Sequence, residues 1–331
     1  MNLHEKSDAA SICDHLKMLK KAAWISPAQR WWPDFLFHFT DVQNAVNILR
    51  SDELLCRTHA ASSGLMITNG ASPEIISRTN ERWKDYVRLY FRPRTPTQYN
   101  NEGFRPPDQR KLGSHCPFPI YFLFNAEKLL CRQETMFTIG NLAAGASPQI
   151  DATNFKQIPF ELVYHDRRFE QNERDTIIYH RHAEAIIPQR LDLSALEMIR
   201  CRTQAEYETF LYLLPPMTRT RWARRIGIGA DLNLFFKRWT FIETATLTAT
   251  QAVFHFNRAT LTPGPFRARV EITKTFDGAK YFWENTEYMA NDTLRLDLAN
   301  LGNPVDYSLR FLLNDDLAFT SRHQEESSLP F

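Results

Sequence analysis

Three side chains in this sequence could work on one reaction: a carboxylate, an imidazole and a guanidinium. Glu184 closes the segment Tyr179-His180-Arg181-His182-Ala183-Glu184 and heads the apolar run Ala185-Ile186-Ile187. A carboxylate beside a sugar carbon stabilises the positive charge that develops as the glycosidic bond between nicotinamide and ribose breaks. The same group can take a hydrogen bond or a proton from the incoming nucleophile, including the weakly acidic nitrogen of a nucleobase. His38, within Phe37-His38-Phe39-Thr40, stands at a strand end before a helix, where a neutral imidazole can hydrogen-bond ribose hydroxyls. Arg94 lies in Arg92-Pro93-Arg94-Thr95-Pro96, and the flanking prolines let its planar fork face a pyrophosphate at little ordering cost. Tyr90 precedes this turn and offers a ring to stack on nicotinamide.

Each feature also admits a plainer role. Glu184 could be a strand-end carboxylate paired with Arg181, His38 a satisfied structural histidine, and Tyr86 to Pro96 an edge strand ending in a stiff turn with solvated arginines. Further arginines suit a polyanionic acceptor: Arg88 and Arg92, then Arg105, Arg110 and Lys111. Arg219-Thr220-Arg221-Trp222-Ala223-Arg224-Arg225 supplies backbone charge with a stacking aromatic, or else a solvated linker helix.

These groups need a scaffold. Residues Phe35 to Phe39 read as a short buried strand, and Thr40 or Asp41 can cap a helix whose Val42, Ala45, Val46 and Leu49 share one face. Residues 12–25 carry an amphipathic helix pattern. Gly64 to Asn80 and Pro93 to Pro119 read as long loops, and Ile120 to Phe124 as a continuous apolar strand followed by a short helix from Ala126 to Leu130. Ile177 to Tyr179 is expected to lead as strand or loop into Glu184. Ala205 to Leu214 looks helical and stops at Pro215-Pro216. Beyond it come alternating strands, such as Leu294-Arg295-Leu296-Asp297-Leu298, with turns at Thr262 to Pro265 and Asp277-Gly278.

At 331 residues the chain is long for one core, so the expected division is a helical segment 1–30, a catalytic domain 31–200, a basic helical linker 201–231, a β-sandwich-like domain 232–320 and a frayed tail 321–331. No apolar run approaches the roughly 18 residues a spanning helix needs, and the start lacks the pattern of an export signal, so the expected setting is cytoplasmic with no membrane partner. Five scattered cysteines fit neither a zinc site nor a disulfide framework, and no metal is expected. A net charge of +2 means that affinity for nucleic acid must come from local clusters.

Taken in order, these motifs resemble the DarT family of nucleic-acid ADP-ribosyltransferase toxins, over roughly residues 35–190. Phe37-His38-Phe39-Thr40 with Asn44, Ile48 and Leu49 is similar to the family's opening element, and Tyr86 through Pro96 to its central Tyr-Val-x-x-Tyr-Phe-x-Pro-Arg-Ser-Pro element. Phe137-Thr138-Ile139-Gly140-Asn141 and Arg181-His182-Ala183-Glu184 resemble its Phe-Thr-x-Gly-Asn and Arg-Gln-Ala-Glu elements. The chain departs from the pattern at Asp41 (histidine), Thr95 (serine), Thr97 (methionine) and Ile139 (aspartate).

The resemblance implies an α+β fold with an ADP-ribosyltransferase-like split β-sheet core. It also implies NAD as co-substrate, held by His38, Thr40, Asn44, Tyr90 and Arg94, with Glu184 and Arg94 catalytic. Single-stranded nucleic acid would be the acceptor, contacted by Arg88, Arg92, Arg181, Arg221, Trp222 and Arg224, and an antitoxin protein the partner. Transfer of ADP-ribose to a base of single-stranded DNA is the leading expectation. Transfer to RNA, hydrolysis of NAD, and a catalytically silent binding protein are the competing ones.

Overall fold

The computed structural model describes residues 5–70 and 73–325. The amino-terminal part supplies nine strands: β1 (Phe35–Asp41), β2 (Glu53–Leu55), β3 (Tyr86–Tyr90), β4 (Pro119–Asn125), β5 (Met136–Phe137), β6 (Glu184–Pro188), β7 (Arg190–Asp192), β8 (Leu196–Cys201) and β9 (Ile226–Ile228). Seven of them form one sheet in the order β5-β6-β3-β1-β4-β8-β9, antiparallel except for β8 with β9, while β2 and β7 make a small ribbon. The unbroken apolar sequence of β4 is explained by its central place, where every residue from Pro119 to Phe124 is buried.

The sheet is split. Strands β1 and β4 pair along their whole length, from Phe35·Asn125 to Asp41·Pro119, but β1 and β3 are in register only at Phe37·Tyr90. Beyond that pair the two strands splay, and His38 bridges the gap with Nδ1 donating to the Arg88 carbonyl at 3.2 Å. The helix Val42–Ser51 starts where the Asp41 carboxylate accepts the Gln43 N–H, and it buries Val42, Ala45 and Leu49.

Strands β10 (Ile242–Leu247), β11 (Gln251–Phe256), β12 (Phe266–Lys274), β13 (Lys280–Tyr288), β14 (Thr293–Asp297), β15 (Asp306–Leu313) and β16 (Asp316–Gln324) follow. They form sheets β10-β11-β14 and β13-β12-β15-β16, which face each other as a sandwich over Phe254, Phe256, Phe311 and Phe319. The alternation read from Leu294 to Leu298 is that of β14, which ends at Asp297.

Four local readings are corrected. The first helix is Ala9–Leu19 rather than 12–25, and Lys20 to Ile25 continue as turns. The stretch before Glu184 is the helix Arg174–His180, not strand or loop; its apolar Ile177 is buried while the opposite face is exposed. The segment expected to be loop from Gly64 to Asn80 contains the helix Pro73–Arg78, with residues 71 and 72 outside the described ones. Residues Ser321 to Gln324, expected to fray, complete β16 because Asp306 pairs with Gln324 across β15; residues 326–331 lie outside the described residues.

The sheet and sandwich meet at a buried charge cluster. Arg202 is fully buried between Glu206 and Glu102 and donates to the Pro117 carbonyl at 2.9 Å. Glu102 also accepts the Phe236 and Lys237 N–H groups at 3.0 and 2.8 Å, which fastens the chain crossing into the sandwich. Next to it Gly103 has a φ of +78°, and a Cβ there would lie 2.7 Å from the Trp239 Cβ.

Candidate active site

The splayed strands leave a cavity of about 280 Å³. It is lined by His38 and Thr40 from β1, by Arg88 and Tyr90 from β3, and by Asn44, Arg57, Ile76 and Trp83 from the helices and turns that close over it. That volume is near the lower end of the about 300–1,000 Å³ typical of ligand pockets.

His38 is held in one tautomer. Its Nδ1 faces a carbonyl and must donate, so Nε2 is left as an acceptor. Burial lowers its pKa to about 4, and the bond to the Arg88 carbonyl opposes that only partly, so the ring is neutral at physiological pH. Tyr90 stacks on Phe39 with ring centroids 6.4 Å apart, and burial with the nearby Glu184 charge raises its pKa to about 12.

Glu184 opens β6 directly opposite Tyr90 in the β3·β6 ladder. Cross-strand partners share a face, so register alone sets its carboxylate beside the phenol and diagonal to Arg88. The carboxylate is 2% exposed, and Oε1 lies 3.6 Å from Arg88 Nη1. Burial raises its pKa, while Arg88 and the Leu142 N–H pull the other way. Oε2 has no hydrogen-bond partner. Glu184 is not itself a lining residue; it adjoins the cavity through Arg88 and Tyr90, which are. Arg88, not Arg181, is its ion-pair partner.

Asn44 lines the cavity and its side-chain amide also shapes it. Its Oδ1 accepts the Ile67 and Thr68 N–H groups at 2.7 and 3.2 Å, while Nδ2 donates to the Thr68 carbonyl and to Thr40 Oγ1 at 2.7 and 3.2 Å. One amide thus straps residues 67 and 68 to the helix, and Asn47 Nδ2 holds the Leu65 carbonyl at 2.9 Å. Asp41 assists by accepting the Thr68 hydroxyl at 3.1 Å.

Arg94 is not among the cavity residues. Its backbone is left-handed with φ of +56°, and its N–H donates to Gln98 Oε1 at 3.0 Å and Tyr121 Oη at 3.2 Å. The guanidinium lies 3.3 Å from Asp166 Oδ2 and over the Phe236 ring, and its Nε has no partner.

Two proposed nucleic-acid contacts are corrected. Arg92 is 1% exposed, with its donors spent on the Pro93, Val163 and His165 carbonyls and on Asp166, so it braces the fold and cannot meet an acceptor. Trp222 is 2% exposed beneath Arg221 and Arg225, which removes its ring from stacking on a base. Arg224 is exposed, as is Arg221, which pairs with Asp52 at 2.7 Å. Arg181 is partly buried and donates to the His165 carbonyl at 2.9 Å.

Sequence reasoning missed Arg57. It begins the helix after the buried Cys56, reaches Asn69 Oδ1 at 3.1 Å and lines the cavity. Desolvation and then repulsion from Arg88 lower its pKa, so two guanidinium groups face one space, with Asp41 and Glu53 also lining it and Glu184 beside Arg88. Nothing in its local sequence marks it. Among the described residues no cluster of His, Cys, Asp or Glu could hold a metal ion, and no helix is long and apolar enough to cross a membrane.

The sequence model of the family described as "ssDNA thymidine ADP-ribosyltransferase, DarT" matches residues 37–230. Among solved structures, Thermus sp. 2.9 DarT in complex with ADP-ribosylated ssDNA is similar at 18% identity, covering 60% of this chain and 96% of that one, with a TM-score of 0.48. The same Thermus protein with NAD+ gives 18% identity, 60% and 97% coverage and a TM-score of 0.44. Thermosipho africanus DarTG in complex with ADP-ribose gives 16%, 64% and 53%, with a TM-score of 0.46. No curated protein matches the sequence.

Proposed function

The chain belongs to the DarT family of single-stranded-DNA ADP-ribosyltransferases, and from that premise we propose that the split-sheet cavity takes NAD with Glu184 at the reacting sugar carbon. The protein is an NAD-dependent enzyme that transfers ADP-ribose to single-stranded DNA. Its acceptor, in this reading, is the thymidine base the family is described by, in preference to RNA.

The observation that carries the assignment is the convergence of His38, Arg88 and Tyr90 at one cavity, with Glu184 adjoining it through Arg88 and holding a buried carboxylate oxygen without a partner. Such an orphan costs free energy unless a ligand satisfies it. As the bond from C1′ to nicotinamide breaks, charge grows on the ribose, and in this reading Glu184 is the carboxylate that offsets it. A new C1′–N bond to the base forms, the base N–H proton passes to Glu184, whose pKa burial already raises, and nicotinamide leaves neutral.

Arg57 and Arg88 supply the positive charge for the pyrophosphate, and the acceptor-only Nε2 of neutral His38 takes a ribose hydroxyl. Arg94 joins them only if it exchanges Asp166 for substrate. Arg181, Arg221 and Arg224 stay candidates for the DNA backbone. The family resemblance further supports the role of a toxin with a protein antitoxin, and five free cysteines fit a reducing, cytoplasmic setting.

Glu184→Gln tests the assignment. The variant should fold with an unchanged or slightly raised melting temperature, because it removes a buried charge, and should lose nicotinamide release by about 100-fold or more. Mass spectrometry of DNA and RNA oligomers incubated with the protein and NAD reads the acceptor. A Glu184→Gln protein that still labels thymidine-containing DNA at the wild-type rate would overturn the role of this carboxylate.

A further inference from the structure

Residues 231–241 carry the chain from the catalytic sheet to the first strand of the sandwich and lie beyond the residues the family model matches. One of them packs on Arg94. The Arg94 guanidinium stands over the Phe236 ring, 5.2 Å from its centroid. Leu234 and Phe235 are buried, whereas Phe236 is only partly so. Tyr99 and Trp239 meet the Phe236 ring at steep angles, with centroids 5.2 and 6.2 Å away, and hold it from the side.

Ring and guanidinium are fixed to one buried frame. Gln98 Oε1 accepts the Arg94 N–H at 3.0 Å, and Gln98 Nε2 donates to Glu102 Oε2 at 2.7 Å and to the Leu234 carbonyl at 3.0 Å. Glu102 in turn accepts the N–H groups of Phe236 and Lys237, one on each oxygen. Tyr121 completes the frame: its hydroxyl donates to Gln98 and accepts the Arg94 N–H, while its ring packs on Phe235 at 5.3 Å. Buried bonds therefore set where both side chains leave the backbone, and their stacking follows.

We propose that Phe236 is a positioning residue for Arg94, so that the segment entering the sandwich holds the guanidinium in place and leaves its N–H groups for a phosphate of the substrate. The proposal rests on the reading of NAD in the split-sheet cavity with Arg94 among its contacts. An aromatic face attracts a cation through the ring quadrupole and spends none of its in-plane donors. A carboxylate does spend them, as Asp166 does 3.3 Å from Nη1. Arg94 Nε is buried and has no partner. The ring thus keeps its hold while Asp166 is exchanged for a pyrophosphate oxygen, and less side-chain freedom is lost on binding.

Phe236→Leu keeps an apolar side chain and removes the aromatic face. In calorimetric titrations with ADP-ribose it should weaken binding about fivefold, while Phe236→Tyr should stay within about twofold of the wild type. Dependence on Arg94 separates this effect from a general loosening of the fold. In an Arg94→Ala background, Phe236→Leu should change the dissociation constant no further. A Phe236→Leu protein that binds ADP-ribose as tightly as the wild type, or a loss of the same size with and without Arg94, would overturn the proposal.

A second readout needs no ligand. In NMR spectra of the unliganded protein the Arg94 Nε–H resonance, assigned by its loss in Arg94→Lys, should be displaced by the Phe236 ring current and return towards the ordinary arginine range in Phe236→Leu. An unchanged resonance would equally overturn the proposal. If the wild-type protein bound no ADP-ribose, the NAD reading would fall, while the resonance would still decide whether the ring holds the guanidinium.

Discussion

His38 and His182 are both neutral because the fold withholds water from them, each with a pKa near 4 against an ordinary 6.5. Between those values the unfolded chain binds protons that the folded one refuses, so their contribution to stability is intact above about pH 6.5 and is lost as pH falls towards 4. Asp41 opposes this trend, since burial raises its pKa to about 6 and its protonated form is the better tolerated. Comparing the wild type with His38→Asn cancels that background. The difference in unfolding free energy should change between pH 7 and pH 4 by on the order of 3 kcal/mol at most, measured by denaturant titration. Nicotinamide release should show no ionisation of His38 between pH 6 and 8. The sequence made Glu184 and His38 visible through residue type and neighbours; it could not reveal that Arg88 is the carboxylate's partner or that Arg57 shares the cavity, because strand register and a helix start bring them in from elsewhere.

At the scale of elements, Asn44 makes most of the bonds that hold the strap beside the cavity, with Asp41 and Asn47 assisting. Asn44→Ala removes four hydrogen bonds that tie the 67–68 backbone and Thr40 to the helix Val42–Ser51. The expected outcome is a raised KM for NAD with a smaller change in kcat and a melting temperature lower by several degrees, each net hydrogen bond being worth about 1 kcal/mol. Differential scanning fluorimetry with initial-rate kinetics checks both. Strands β1, β4 and β14 were legible because a period of two or an unbroken apolar run is a local signal. The helix Arg174–His180 was not: with Ile177 alone buried and polar residues around it, only its docking against the loop that holds Arg92 makes it helical. Splaying of β1 from β3 was equally illegible, since it depends on what fails to pair.

Over the whole molecule, the catalytic sheet and the sandwich stand on shared supports. Asp316, at the β15–β16 turn, accepts from Arg110 at 2.7 Å and His115 at 2.9 Å, and so holds the proline-rich segment whose Cys116 lines the cavity. Removing Arg202 would strand Glu102 and Glu206 in the interior, the latter already raised to about 7 mainly by burial. Arg202→Ala should therefore cost about 3–5 kcal/mol, read as a sharply lower denaturation midpoint or as loss of soluble protein. The junction also bears on how this protein tolerates change. Gly103 sits where two backbones press together, at a dihedral angle that side chains resist, with no contact to any reacting group. In a saturation library scored for activity it should be nearly as invariant as Glu184, and a reader of such a map would mistake a spacer for chemistry.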